Sequence, residues 1–257
     1  LGMHRSGTSL TAQWLNTCGL NFGDRLLGAD FSNMKGHIED LDFLDLHKDI
    51  LKYNNLDVRG LITKEENIRL NSYLARKLES NCSIKNSLYS QWAWKEPRTC
   101  LLIEKYLKII PEAKIFIVYR NLAQVRTSLV KREIEKRLLN AEKRCDIAGL
   151  KVRFFKSYYK RKWVNELNGK FLKVNILYHR KIIEAIKKVD NRKLIVCELN
   201  ELKTKDNKIY NILTKWGFKL EYVSFEKIQS IKLINKRDRI LKKYNFMTEA
   251  EKEIYQE

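Results

Sequence analysis

Apolar positions along the chain follow two rhythms. Between Ser6 and Cys18, Leu10, Trp14 and Leu15 recur at helical spacing, which predicts a helix beginning inside a glycine loop. A loop from Gly19 to Gly36 follows. The stretch GHIEDLDFLDLHKDILKY sets Leu41, Leu44, Ile50 and Leu51 on one stripe and predicts a second helix. Residues 63–80 read as a third, more polar helix, and Cys100–Ile109 as a fourth. The other rhythm is a short, continuous apolar run. Ala113–Tyr119 is the clearest, as in a parallel strand covered on both faces. Gln91–Trp94 reads as a buried strand ended by Pro97, and RKLIVCEL as a late strand. Helix is expected over residues 121–138, from Asp146 to Asp190 with a break at Asn168-Gly169, and over Asn207–Trp216. In VRFFKSYYKRKW, Phe154, Phe155 and Tyr158 are expected in the core; the competing use is to stack adenine or line an acceptor groove.

Strands alternating with helices predict an α/β fold in three layers: a central parallel sheet with helices on both faces. With two prolines, no internal repeat and no Pro-, Gly- or Ser-rich linker, residues 1–257 are expected to form a single domain. The glycine loop starts at the second residue, so the strand that leads into such a loop is expected upstream of Leu1, where a leader or anchor is equally compatible.

Composition adds limits. An apolar content of 44% is enough for a core, and no apolar run approaches the roughly 20 residues needed to span a bilayer. The five cysteines are scattered, without CxxC or Cys/His spacing, and are expected to be reduced and buried in a cytoplasmic compartment. The net charge of +20 is uneven: residues 1–150 carry 24 basic and 18 acidic side chains, residues 151–257 carry 27 and 13. Such an excess favours an anionic partner, whether nucleotide, acidic polymer, nucleic acid or anionic membrane, though many of these lysines also read as solvated surface. No zinc ligands, RNA-recognition aromatics or helix-turn-helix spacing point to specific nucleic-acid recognition.

The candidate chemistry lies in LGMHRSGTSL. Gly2 and Gly7 have four residues between them and are followed by Thr8 and Ser9, close to the phosphate loop GxxxxGK[ST]. Thr8 stands where the lysine belongs, and Arg5 sits inside the loop. Backbone N–H groups and the helix start suit an anion, with Arg5 as a bidentate clamp. In NTPases that lysine neutralises the β- and γ-phosphates, and an aspartate at a strand end helps hold Mg²⁺. Here the best strand ends in Arg120, which would repel a metal. The pattern argues against an ordinary kinase or ATPase and needs no metal. Ligands bind at the carboxyl ends of such strands, so the glycine loop, Lys95-Glu96-Pro97-Arg98 and Tyr119-Arg120-Asn121 are expected to face one cleft.

At these motifs the chain resembles sulfotransferases that use 3′-phosphoadenosine 5′-phosphosulfate (PAPS). GMHRSGTSL resembles that family's loop for the 5′-phosphosulfate, and IVYRNLAQVRTSL its 3′-phosphate motif, an arginine at a strand end with a serine eight residues on. GHIED and WKEPRT are similar to bacterial members acting on carbohydrate or other small hydroxyl acceptors. The resemblance covers roughly the first half of the chain; LIVCELNEL matches loosely, and Leu122 stands where the family often has proline. It implies metal-free, in-line transfer of a sulfuryl group from PAPS to a hydroxyl or amine, leaving 3′,5′-ADP. It places Gly2, Met3, His4, Arg5, Ser6, Gly7, Thr8 and Ser9 on the 5′ side, and Arg120 and Ser128 on the 3′-phosphate. Arg5 stands where many members carry lysine, and Lys95 is either a second cation near the transferring group or a solvated loop residue. Glu39 is the first choice of base, against a plain capping role in the first turn, and His37 the second. Asp40 and Asp42 are expected to be structural or solvated. Arg98 holds acceptor or cofactor, or pairs at a helix start. The basic run INKRDRILKK closes over the 3′-phosphate or is a solvated face. An acidic glycan suits the positive surface as acceptor.

Overall fold

The computed structural model describes residues 1–28, 36–229 and 247–256; the basic run at 234–243 lies outside them. In chain order the elements are α1 (Thr8–Thr17), α2 (Leu41–Tyr53), α3 (Ser72–Leu88), α4 (Thr99–Ile109), β1 (Ile115–Tyr119), α5 (Leu122–Glu142), α6 (Ile147–Phe154), α7 (Lys156–Ile186), β2 (Leu194–Glu198), α8 (Leu202–Lys215), α9 (Phe225–Gln229) and α10 (Glu249–Gln256). The chain is mostly helical around a small parallel sheet, an α/β fold in that coarse sense.

β1 and β2 pair in parallel, Ile115 opposite Leu194 and Tyr119 opposite Glu198. Leu1 runs beside β1, its carbonyl accepting from the Val118 N–H at 2.9 Å. Alternation along β1 feeds two cores. Ile115 and Ile117 pack with Val125, Leu129, Phe171 and Val174 of α5 and α7. Val118, with Ile195 and Cys197 of β2, packs with Trp14, Leu202 and Leu213 of α1 and α8. A third cluster joins α2, α3 and α4 through Phe43, Leu78 and Tyr106; Trp94 stacks on Phe43, ring centroids 4.9 Å apart.

Among the described residues, the central sheet of the expected three-layer fold is present as this pair and isolated bridges. Gln91–Trp94 is not a strand; Trp92 makes one parallel bridge, to Asn21. A cavity of about 880 Å³ walled by Trp92, Leu15, Ile103 and Phe116 separates that segment from β1. The third helix begins at Ser72 rather than at 63, because Asn71 caps it, accepting from the Leu74 N–H at 2.8 Å. No break occurs at Asn168-Gly169: α7 runs through, and the chain turns instead at Phe155. One interior glycine costs only about 1 kcal/mol, and the stripe Val164, Leu167, Phe171, Val174 and Tyr178 is buried on both sides of it. That core starts too late for the earlier aromatics. Phe154, Phe155 and Tyr158 are 81%, 62% and 63% exposed, not buried as expected. Cys145 is exposed too; the other four cysteines are buried and all five are free thiols.

α10 is fastened by charge. The buried Arg126 of α5 grips Glu251 through both carboxylate oxygens, at 2.9 and 3.0 Å, and also donates to Asn168 of α7. Glu251 accepts from the Thr248 N–H while its own N–H donates to Thr248 Oγ, a reciprocal cap at the start of α10.

Candidate functional site

The glycine loop is built by close approach. Gly2 has φ +153°, and a Cβ there would lie 2.4 Å from the carbonyl oxygen of Val118 at the end of β1. Gly7 has φ +100°, and a Cβ would meet the Leu199 side chain just past β2 at 2.5 Å. Between them, Ser6 Oγ donates to the Met3 carbonyl at 2.7 Å, and Met3 anchors the turn in the core. Gly7 is the N-cap of α1, with no side-chain cap. The positive end of that helix is therefore left for an anion. Arg5 holds a left-handed backbone, φ 71°, a conformation rare outside glycine.

Arg5 is where two distant motifs meet. Its Nε donates to Ser128 Oγ on α5 at 2.9 Å, joining residues 123 apart in sequence. Ser128 lies two turns beyond Arg120, whose Nε donates to Gln124 at 2.8 Å. Burial lowers the pKa of Arg120, and the charge of Arg5 lowers it further, so the two guanidiniums lie close enough to repel. Two converging cations of this kind are relieved by an anion placed between them.

A second cluster adjoins the first turn of α1. Lys95 Nζ donates to Glu39 at 2.8 Å and to Ser9 Oγ at 3.1 Å. His37 Nδ1 is 4.0 Å from the same Glu39 oxygen. Burial pulls the Lys95 pKa down while Glu39 opposes it. Lys95 is thus a buried cation, not a solvated loop residue. Glu39 lies before α2, not in its first turn. The capping role belongs to Asp40, which accepts from the Asp42 N–H at 2.9 Å and pairs with Lys85 at 2.6 Å. Asp42 pairs with Arg25 and Lys85, a structural use. The carbonyl of Glu39 accepts from the Leu27 N–H at 2.7 Å in a short antiparallel contact that fixes the segment. The neighbouring Ile38 is itself left-handed, φ 48°, so strained backbone flanks the site on both sides.

Behind Lys95 runs a buried relay that sequence reasoning missed. Glu96 accepts from His47 Nδ1 at 2.5 Å and from the Arg98 N–H and guanidinium; His47 Nε2 meets the Tyr106 hydroxyl at 2.7 Å. Burial works against the Glu96 charge, yet the His47 hydrogen bond and charge and the Arg98 charge outweigh it and bring its pKa to about 2. Arg98 is therefore the ion-paired residue at the start of α4. A polar His47 on the apolar stripe of α2 was the available cue. Gln124, four residues after Arg120, was another. His4 is half-buried in the loop, its Nε2 atom buried and without a hydrogen-bond partner. Burial, then Arg98 and Arg132, hold its pKa well below the usual range.

Among the described residues, no group of three or more His, Cys, Asp or Glu has metal-holding geometry, and no helix is long and apolar enough to cross a membrane. At a significant level the chain matches no protein-family model, no curated protein and no solved structure.

Proposed function

We propose that the protein is a PAPS-dependent sulfotransferase acting on a hydroxyl, a carbohydrate hydroxyl first among the candidates. The observation that carries the reading is the Arg5–Ser128 contact, which brings the glycine loop and the strand-end motif to one place beside Arg120. Ser128 Oγ accepts from Arg5 and keeps its own proton to donate to an anion. Gly2 to Ser9 and the uncapped start of α1 hold the 5′ side; Arg120 and Ser128 hold the 3′-phosphate. PAPS supplies an activated sulfuryl group when bound. Glu39 takes the acceptor proton on its carboxylate, with His37 beside it as second choice. Lys95 pairs with Glu39 at 2.8 Å and, with Arg5, offsets the negative charge that grows on the oxygens around sulfur. Arg5 does this as charge only, since a guanidinium does not readily release a proton.

The reading implies a three-layer, P-loop-like sheet. It sets the reaction in the cytoplasm, in keeping with four buried free thiols. An acidic polysaccharide is the acceptor that best matches the charge. Calorimetry with 3′,5′-ADP, compared with ATP and Mg²⁺, tests it. Tight binding of 3′,5′-ADP without metal is expected. Binding of ATP only with Mg²⁺, or of long polyanions only, would sink the reading.

A further inference from the structure

At the far end of α5 from Arg120, the corner between α6 and α7 turns apolar side chains outward. Ile147, Leu150 and Phe154 fall on one stripe of α6 at spacings of three and four, and are 71%, 41% and 81% exposed. At the turn itself and in the first turn of α7, Phe155 and Tyr158 are 62% and 63% exposed. The cause is Gly149, the one buried residue of α6. A Cβ there would lie 2.7 Å from the Arg144 carbonyl oxygen, so α6 is tucked against the end of α5 through its glycine and its apolar stripe faces away. These five side chains expose on the order of 600 Å², as much as the largest patch on a typical monomer.

The surrounding charge is mostly positive. Residues 143–163 hold eight basic side chains and one acidic, Asp146. Arg144 pairs with Asp146, and Lys156 with Glu142 at 3.5 Å; Lys151, Arg153, Arg161 and Lys162 are exposed. Protruding rings and aliphatics ringed by Lys and Arg match an interface whose phosphates are anionic and whose interior is apolar.

We propose that the α6–α7 corner seats the protein on an anionic lipid surface. Ile147, Leu150, Phe154 and Phe155 enter the headgroup boundary, while Lys151, Arg153, Arg161 and Lys162 meet lipid phosphates. α5 separates this face from Arg120 by about 30 Å, so the anion cradle stays open and the proposal is independent of what the cradle binds.

Vesicle co-sedimentation tests it, with phosphatidylcholine alone and with about one third phosphatidylglycerol added. The protein is expected to bind the anionic vesicles and not the neutral ones. Phe154→Ser with Phe155→Ser, and separately Lys151→Glu with Arg153→Glu, should each weaken binding by roughly tenfold or more. Unfolding midpoints should not change, because the replaced side chains are exposed. Failure to bind anionic vesicles, or binding that survives loss of both phenylalanines, would overturn it. So would a dimer in sedimentation equilibrium that Phe154→Ser dissolves.

Discussion

Arg5 and Ile38 hold left-handed backbones at φ 71° and 48°, strain of order 1–3 kcal/mol each. Arg5 is itself one of the groups proposed to act, and Ile38 adjoins another, Glu39. Hydrogen bonds to charged groups contribute about 1.5–3 kcal/mol, so Arg5→Ala and Arg120→Ala should each weaken 3′,5′-ADP binding by about 10- to 100-fold in calorimetry. Glu39→Gln should bind 3′,5′-ADP normally and lose transfer from labelled PAPS; full turnover would move the base assignment to His37. Glu96 predicts an acid limb. Its folded pKa, about 2, lies below the ordinary 4.5, so its stabilisation is complete above pH 4.5 and fades as pH falls toward about 2. Glu96→Gln should remove that limb in urea unfolding series. It should also cost about 3 kcal/mol at neutral pH, because Arg98 and His47 lose a buried counter-charge.

The elements that agree with the sequence are those whose signal is local. α4, β1, β2 and the start of α5 carry their own apolar rhythm and their own stops. Elsewhere the local pattern was overruled. A glycine in the middle of α7 did not break it, because a long buried stripe spans it. Trp92 and Trp94 read as strand but serve as stacked wall for Phe43. α10 depends on a distant partner: Arg126 and Glu251 are 125 residues apart. Removing one partner of a buried pair costs about 3–5 kcal/mol. Glu251→Ala should therefore lower the urea midpoint strongly, and Arg126→Met added to it should recover part of the loss.

For the whole molecule, a bound nucleotide should act as a stabiliser. At a hundred times its Kd, 3′,5′-ADP adds about 2.7 kcal/mol, which should raise Tm by about 5–10 °C in a domain of this size. At the same ligand concentration that shift should fall to about half or less in Arg120→Ala.

The chain alone determined the glycine loop, the arginine at the end of β1, the alternation of helix with strand and the excess of positive charge, because spacing and charge are properties of neighbours in sequence. It named Arg5, Ser128, Glu39 and Lys95 singly. Only the tertiary structure decided that Arg5 touches Ser128 and that Lys95 bridges Glu39 and Ser9. It alone turned Phe154 and Phe155 outward and tied Glu96 to His47. Those outcomes depend on which surfaces find a partner across tens to hundreds of residues, and a period of two or 3.6 residues carries no information about that.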